Sequence, residues 1–225
     1  MKKLDNKVAI ITGGAGGIGK ATALEFLNEG SDVLLFDLNE SDLKKLCQEI
    51  GSNHLSYFAG DVTSFEDNLK AVEIAKEKFG GLDILISNAG AAPGGAIGDV
   101  SDEILRKSFK INFFSHQNCA SEAVKIMKKQ NTNGCLLFNI SKQSVNPGKN
   151  FGPYGLPKSA LLSLCKQYAV DYGSYGIRSN GVNADRIRSG LMTDKMIKTR
   201  AKARAVSTDD YMKGNLLLNE VKAED

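Results

Sequence analysis

The chain has 225 residues, of which 42% are hydrophobic and 24% charged, with a net charge of +3. That is enough chain for one α/β domain over residues 1–225 with a substantial core. The small, dispersed charge argues against a nucleic-acid partner, and no apolar run approaches the ~18 residues of a membrane span.

The basic start, 2–7, leads into Val8 to Ile11, far too short for a secretory signal and better read as a strand. The four cysteines (Cys47, Cys119, Cys135, Cys165) form no C-x-x-C, and only His54 and His116 could assist them. A cytoplasmic protein with reduced thiols and no metal site is therefore expected.

Strands are expected near Val8–Thr12, Val33–Asp37, Leu55–Ala59, Ile84–Ser87, Cys135–Ile140 and Ile177–Val182. Most are apolar almost throughout, as in parallel sheets covered on both faces. Helical patterns fall between them, at about Gly17–Asn28, Ser41–Ile50, Phe65–Phe79, Ser101–Lys129 and Tyr154–Tyr172. Ser41 and Gly51 suit the N-cap and C-terminal stop of the second helix. Alternating βα units with right-handed crossovers predict a doubly wound parallel sheet, a Rossmann fold of order 3-2-1-4-5-6. A Gly/Ala/Pro-rich stretch, Ala91 to Gly98, follows the fourth strand, where such sheets build their ligand crevice. A basic segment, Arg188 to roughly Val206, has helical potential, and within it Lys195 to Arg204 is expected to lie on a mobile helix covering the site.

The first strand runs into Thr12-Gly13-Gly14-Ala15-Gly16-Gly17-Ile18-Gly19. Glycines at 13, 17 and 19 serve a tight turn, close backbone approach to a pyrophosphate, and close helix–strand packing. The N–H groups opening the helix at Gly17, Ile18 and Gly19 would face the phosphates. Asp37 ends the second strand, where its carboxylate suits the adenosine ribose hydroxyls and repels a 2′-phosphate, so NAD is expected over NADP. Asp61 and Val62 follow the third strand and suit the adenine edge. Asn88, Ala89 and Gly90 follow the fourth and suit the nicotinamide ribose.

Tyr154 and Lys158 stand four residues apart, on one face of a helix, with Ser141 thirteen residues upstream. An ammonium beside a phenol favours phenolate, and the lowered pKa would let the tyrosine exchange a proton near neutral pH. With a dinucleotide turn upstream, the set describes hydride transfer with a tyrosine acid/base. Ser144 is a rival hydroxyl, ten residues before the tyrosine.

These residues resemble the short-chain dehydrogenase/reductase family over nearly the whole chain. Thr12-Gly13-x-x-x-Gly17-x-Gly19 is similar to its cofactor motif and Asn88-Ala89-Gly90 to its Asn-Ala-Gly motif. Asn112, Ser141, Tyr154 and Lys158 fall where its catalytic tetrad does. The resemblance implies that tyrosine is the acid/base, serine holds the substrate oxygen, lysine also holds the nicotinamide ribose, and asparagine carries a relay water. It also implies a homo-oligomer, dimer or tetramer. The runs 141–149 and 183–191 resemble the dehydrogenase portion of bifunctional sugar (rhamnulose-phosphate) aldolase/short-chain dehydrogenases, linked to rhamnose breakdown and lactaldehyde. Ala184-Asp185 replaces the family's usual Pro-Gly after the sixth strand. The family continues with a further helix and edge strand, which the sequence is expected to lack, with subunit contacts correspondingly weakened.

The expected function is NAD-dependent oxidation or reduction of a small polar, sugar-derived or hydroxy-aldehyde substrate. Two alternatives are a regulatory dinucleotide-binding protein without turnover and a nucleic-acid-binding role for the basic 186–204 segment. Lys142, Arg186 and Arg188 lie at the active-site end of the sheet, where one or two could meet a polar or anionic substrate group.

Overall fold

The computed structural model describes residues 2–189 and 191–225. Its strands are β1 (Val8–Thr12), β2 (Asp32–Asp37), β3 (Leu55–Ala59), β4 (Ile84–Ser87), β5 (Gly134–Asn139) and β6 (Ile177–Val182). All pair in parallel, in the order β3-β2-β1-β4-β5-β6. This is the doubly wound sheet that the alternating pattern predicts, with its switch point between β1 and β4.

Helices α1 (Gly17–Asn28), α2 (Glu40–Ile50), α3 (Phe65–Phe79), α4 (Asp102–Phe109), α5 (Ser115–Gln130) and α6 (Gly152–Tyr172) supply the crossovers. A π turn, Lys110–Phe114, joins α4 to α5 in what the sequence reads as one helix. Helices α7 (Asp194–Ala203) and α8 (Thr208–Met212) follow the sheet. No helix among the described residues is long and apolar enough to cross a membrane.

Two hydrophobic clusters lie on opposite faces of the sheet. Ile10, Leu34, Leu85, Leu136 and Phe138 pack with α3, α5 and α6, while Ile11, Val33, Leu35 and Ile86 pack with α1 and α2. Alternate strand residues thus feed alternate layers, so β1 and β4 are buried along their whole length. Strand β6 departs from this rule. Its sequence Ile-Arg-Ser-Asn-Gly-Val carries one fully buried residue, Ile177, as befits the outermost position.

The N-cap expectation for α2 needs correcting. Asn39, not Ser41, caps it: its Oδ1 accepts from the Asp42 N–H at 3.3 Å, and the Ser41 hydroxyl donates to that same Oδ1 at 2.8 Å. Asparagine wins because it leaves the extended strand two residues earlier and can still reach the third N–H of the helix. Gly51 stops the helix in left-handed geometry, φ 63°, as expected of glycine there.

Candidate active site

The strands β1, β4 and β5 end together, and hydrogen bonds tie their ends into one floor. The backbone N–H groups of Asn88 and Ala89 donate to Thr12 Oγ1 at 2.9 and 3.0 Å. The Asn88 amide donates to Thr12 O at 3.0 Å, and the Asn139 amide donates to Asn88 Oδ1 at 2.8 Å. Lys158 Nζ then donates to Asn139 O at 2.8 Å. Thr12 and Asn139 thus share in the site, although the expectations did not include them: a lone threonine or asparagine ending a strand carries no sequence signal until its partners are known.

Asn112 lies on the π turn and is fully buried. Its Oδ1 accepts from the Ala91 N–H at 3.1 Å, and its amide donates to Ser108 Oγ at 3.0 Å. It therefore holds the chain just after Asn88-Ala89-Gly90, and a Cβ on Gly90 would come within 3.0 Å of its Oδ1.

Ser141 opens a short 3₁₀ turn, Lys142–Ser144, and its Oγ accepts from the Gln143 N–H at 3.2 Å. Ser144 is tied to Ser141 itself, donating to its carbonyl at 2.7 Å, which leaves Ser144 a loop-forming hydroxyl. Ser141 and Tyr154 line one small cleft, about 100 Å³, together with Ile18, Ala92, Phe151, Asp185, Met192 and Arg200. Lys158 lies buried one turn along α6, its Nζ 5.9 Å from the Tyr154 ring centroid.

The electrostatics differ from the expectation that Lys158 lowers the tyrosine pKa. Burial raises the Tyr154 phenol above its ordinary value; the hydrogen bond with Ser141 and the charge of Arg200 pull it down by less. Burial also lowers the Lys158 ammonium, to about 7. Behind it sits His116, which the sequence offers only as one of two scattered histidines. His116 Nε2 is 3.4 Å from Lys158 Nζ, and its Nδ1 is 2.7 Å from Ser87 Oγ. An amine donating to Nε2 puts the imidazole proton on Nδ1, toward Ser87. Burial and the adjacent lysine hold His116 well below its usual pKa, so it stays neutral.

The glycine turn fits a dinucleotide. No side chain caps the N-terminus of α1 and no acidic residue occupies its first turn, so the N–H groups at Gly17, Ile18 and Gly19 are free for phosphate oxygens. A Cβ on Gly19 would lie 2.1 Å from Gly13 O, whereas one on Gly16 would meet nothing within 4 Å. The turn is therefore pressed tight against the helix yet open outward. Asp37 accepts from the Ala15 N–H at 3.1 Å and the Asn39 N–H at 3.2 Å, which fixes its carboxylate beside the turn with lone pairs to spare. Asp61 is exposed and accepts from the Thr63 N–H at 2.8 Å. The Val62 side chain points into the core, which leaves only its backbone to meet an adenine.

The three expected substrate cations part company. Lys142 pairs with Asp185 at 2.9 Å. Arg186 also approaches Asp185, at 3.6 Å, and donates to Tyr211 O at 2.6 Å. Arg188 lies outside the cleft, bound to Glu220 at 2.5 Å and Asp194 at 2.9 Å. Arg188 therefore does not line the cleft that holds Ser141 and Tyr154, and its charge is answered by two carboxylates. Arg200 on α7 lines the cleft instead; the sequence places it on a covering helix but does not show which face points inward. Among the described residues no three His, Cys, Asp or Glu side chains gather as a metal-ligand set.

A family model described as short chain dehydrogenase matches residues 7–200. The chain is 34% identical to an uncharacterized oxidoreductase, YuxG, of Bacillus subtilis, covering 99% of this chain but only 34% of that protein's length. It is 33% identical to short-chain dehydrogenase reductase 5 of Arabidopsis thaliana, over 91% of this chain and 82% of the relative. It is 30% identical to (+)-borneol dehydrogenase 1 of Salvia officinalis, over 96% and 88%. Among solved structures, a 3-ketoacyl-(acyl-carrier-protein) reductase from Brucella melitensis complexed with NADH superposes with a TM-score of 0.89 at 24% identity, over 99% of this chain and 88% of that one. At that identity the likeness speaks for the fold.

Proposed function

The chain belongs to the short-chain dehydrogenase family of oxidoreductases, and from that premise we propose that it is an NAD-dependent enzyme interconverting a small polar alcohol and its carbonyl. The observation that carries this reading is one cleft lined by both the Ser141 hydroxyl and the Tyr154 phenol, at the sheet end where the glycine turn lies. The bound nicotinamide supplies the hydride acceptor or donor.

The chain's own residues do the rest. Gly13, Gly17, Ile18 and Gly19 receive the pyrophosphate, and Asp37 takes the adenosine ribose hydroxyls. Its charge, with no cation at Gly16, Leu38 or Asn39, supports NAD over NADP. Asn88, Ala89 and Gly90 line the nicotinamide ribose, with Lys158 Nζ beside them. Ser141 holds the substrate oxygen by hydrogen bonding, and Tyr154 Oη exchanges the hydroxyl proton. Asn112 keeps the 88–91 chain in shape. Lys158, whose ammonium burial lowers to about 7, stands one helical turn from the phenol and is held by the Asn139 carbonyl. The resemblance of runs 141–149 and 183–191 supports a sugar-derived or hydroxy-aldehyde substrate, and the family supports a homo-oligomer.

The test is Tyr154→Phe in the purified protein, with NADH formation followed across a panel of short alcohols and polyols. Turnover is expected to fall at least a thousandfold, about 4 kcal/mol of transition-state stabilisation, while NAD still binds. Retention of a tenth of kcat/KM, only ~1.4 kcal/mol, would overturn the role of the phenol.

A further inference from the structure

Four cations line the active-site cleft (Lys142, Arg186, Arg200 and Arg204) against one carboxylate, Asp185. Asp185 answers Lys142 and Arg186. Among the described residues Arg200 and Arg204 have no such partner. The Arg200 guanidinium carbon stands 4.6 Å from the Phe151 ring centroid, with Nη1 3.5 Å from Met192 Sδ. Arg204 stands 5.1 Å from the Tyr211 ring centroid. Stacking holds a guanidinium flat while leaving its N–H edge free, the presentation that suits a carboxylate.

We infer that the substrate is a short hydroxy acid, or its oxo acid in the reverse direction, whose carboxylate is held by Arg200, with Arg204 adding positive charge to the cleft wall. The inference rests on the hydride-transfer reading above and adds to it the chemical class of the substrate. A cleft with two unmatched cations favours an anion over a neutral molecule, and its partial exclusion of water strengthens the attraction. Size narrows the class. The cleft is small, roughly 100 Å³, which favours a short substrate over a long one. Arg200 is also near enough to Tyr154 for its charge to act on the phenol, against the larger effect of burial. The group that would hold the anion therefore lies within electrostatic reach of the residue that takes the proton. The balance is that of the reaction above: one hydride, a proton with two electrons, passes from the alcohol carbon to the dinucleotide, and the hydroxyl proton passes to Tyr154 Oη.

The test compares 2- and 3-hydroxy acids of three to five carbons with their primary amides, which keep the shape and lose the charge. The native protein is expected to prefer at least one acid over its amide by tenfold or more in kcat/KM. Arg200→Gln should erase that preference through KM, and Arg200→Lys should restore part of it. Equal use of acids and amides, or equal losses on both in Arg200→Gln, overturns the inference. Calorimetric titration with oxamate, a carboxylate with no alcohol to oxidise, separates the two readings. Binding that weakens tenfold in Arg200→Gln supports the anion site even if no substrate turns over, in which case the dehydrogenase reading alone falls. Absence of oxamate binding to the native protein overturns the site whatever the activity.

Discussion

Lys158 is a basic side chain in a place that disfavours charge, and its cost to the fold can be worked out. Burial takes its ammonium from 10.5 down to about 7, while the unfolded chain keeps the ordinary value. Between those limits the unfolded state holds a proton that the folded state has released, so stability rises with pH. At 1.36 kcal/mol per pH unit the whole gap is worth roughly 5 kcal/mol, of which about 2 kcal/mol is regained between pH 7 and 9. The group is fully buried, so solvent screening does not reduce the figure. Lys158→Met keeps the length of the side chain and removes the titration. It also strips the Asn139 carbonyl of its amine donor, a penalty of roughly 1–3 kcal/mol that is the same at every pH. The two proteins must therefore be compared by slope. Urea melts without added nucleotide at pH 7, 8 and 9 are expected to show native stability climbing by about 2 kcal/mol more than that of the variant. Cys47, Cys119 and Cys135, raised by burial, act with the opposite sign as pH rises toward the ordinary thiol value, and they cancel in the comparison. Parallel slopes would refute the argument.

Asp37→Ala should narrow the preference for NAD over NADP by removing a charge that repels the 2′-phosphate; a native protein that already binds NADP more tightly in a titration would contradict this. Gly19→Ala places a methyl 2.1 Å from Gly13 O, so the turn must move. A loss of about 1–3 kcal/mol in a urea melt, with weaker NAD binding, is expected. Finally, Tyr154 must lose its proton to accept one from an alcohol, and its pKa lies above the ordinary tyrosine value. With cofactor well below saturation, kcat/KM for oxidation should still be rising at pH 9, and a plateau below pH 8 would contradict it.

The sheet was legible because each strand carries its own signal. Val8–Thr12 and Ile84–Ser87 are short apolar runs between helical patterns, and parallel pairing with right-handed crossovers leaves little choice of order. The spacing of Ser141, Tyr154 and Lys158 marked the cleft because two of them share a helix and the third opens the loop beside it. Signals that depend on meeting a distant side chain were hidden. Asn139, His116 and Thr12 acquire roles only through partners 51, 42 and 76 residues away. The pKa of Tyr154 was misread for a related reason: i, i+4 spacing reports adjacency, but not how completely the lysine is stripped of water. Arg188 and Arg200 lie in one basic run, and only the positions of Glu220, Asp194 and Phe151 decide which of them faces inward.

The π turn at Lys110–Phe114 gives the helical rod between β4 and β5 one residue more than a regular spiral would use. Removing one residue there other than Asn112 is expected to return the rod to a regular α-helical spiral. The residue lost would be the slack that turns the Asn112 amide toward the Ala91 N–H. A single-codon deletion there is therefore expected to free the segment at Ala91 from its Asn112 tether.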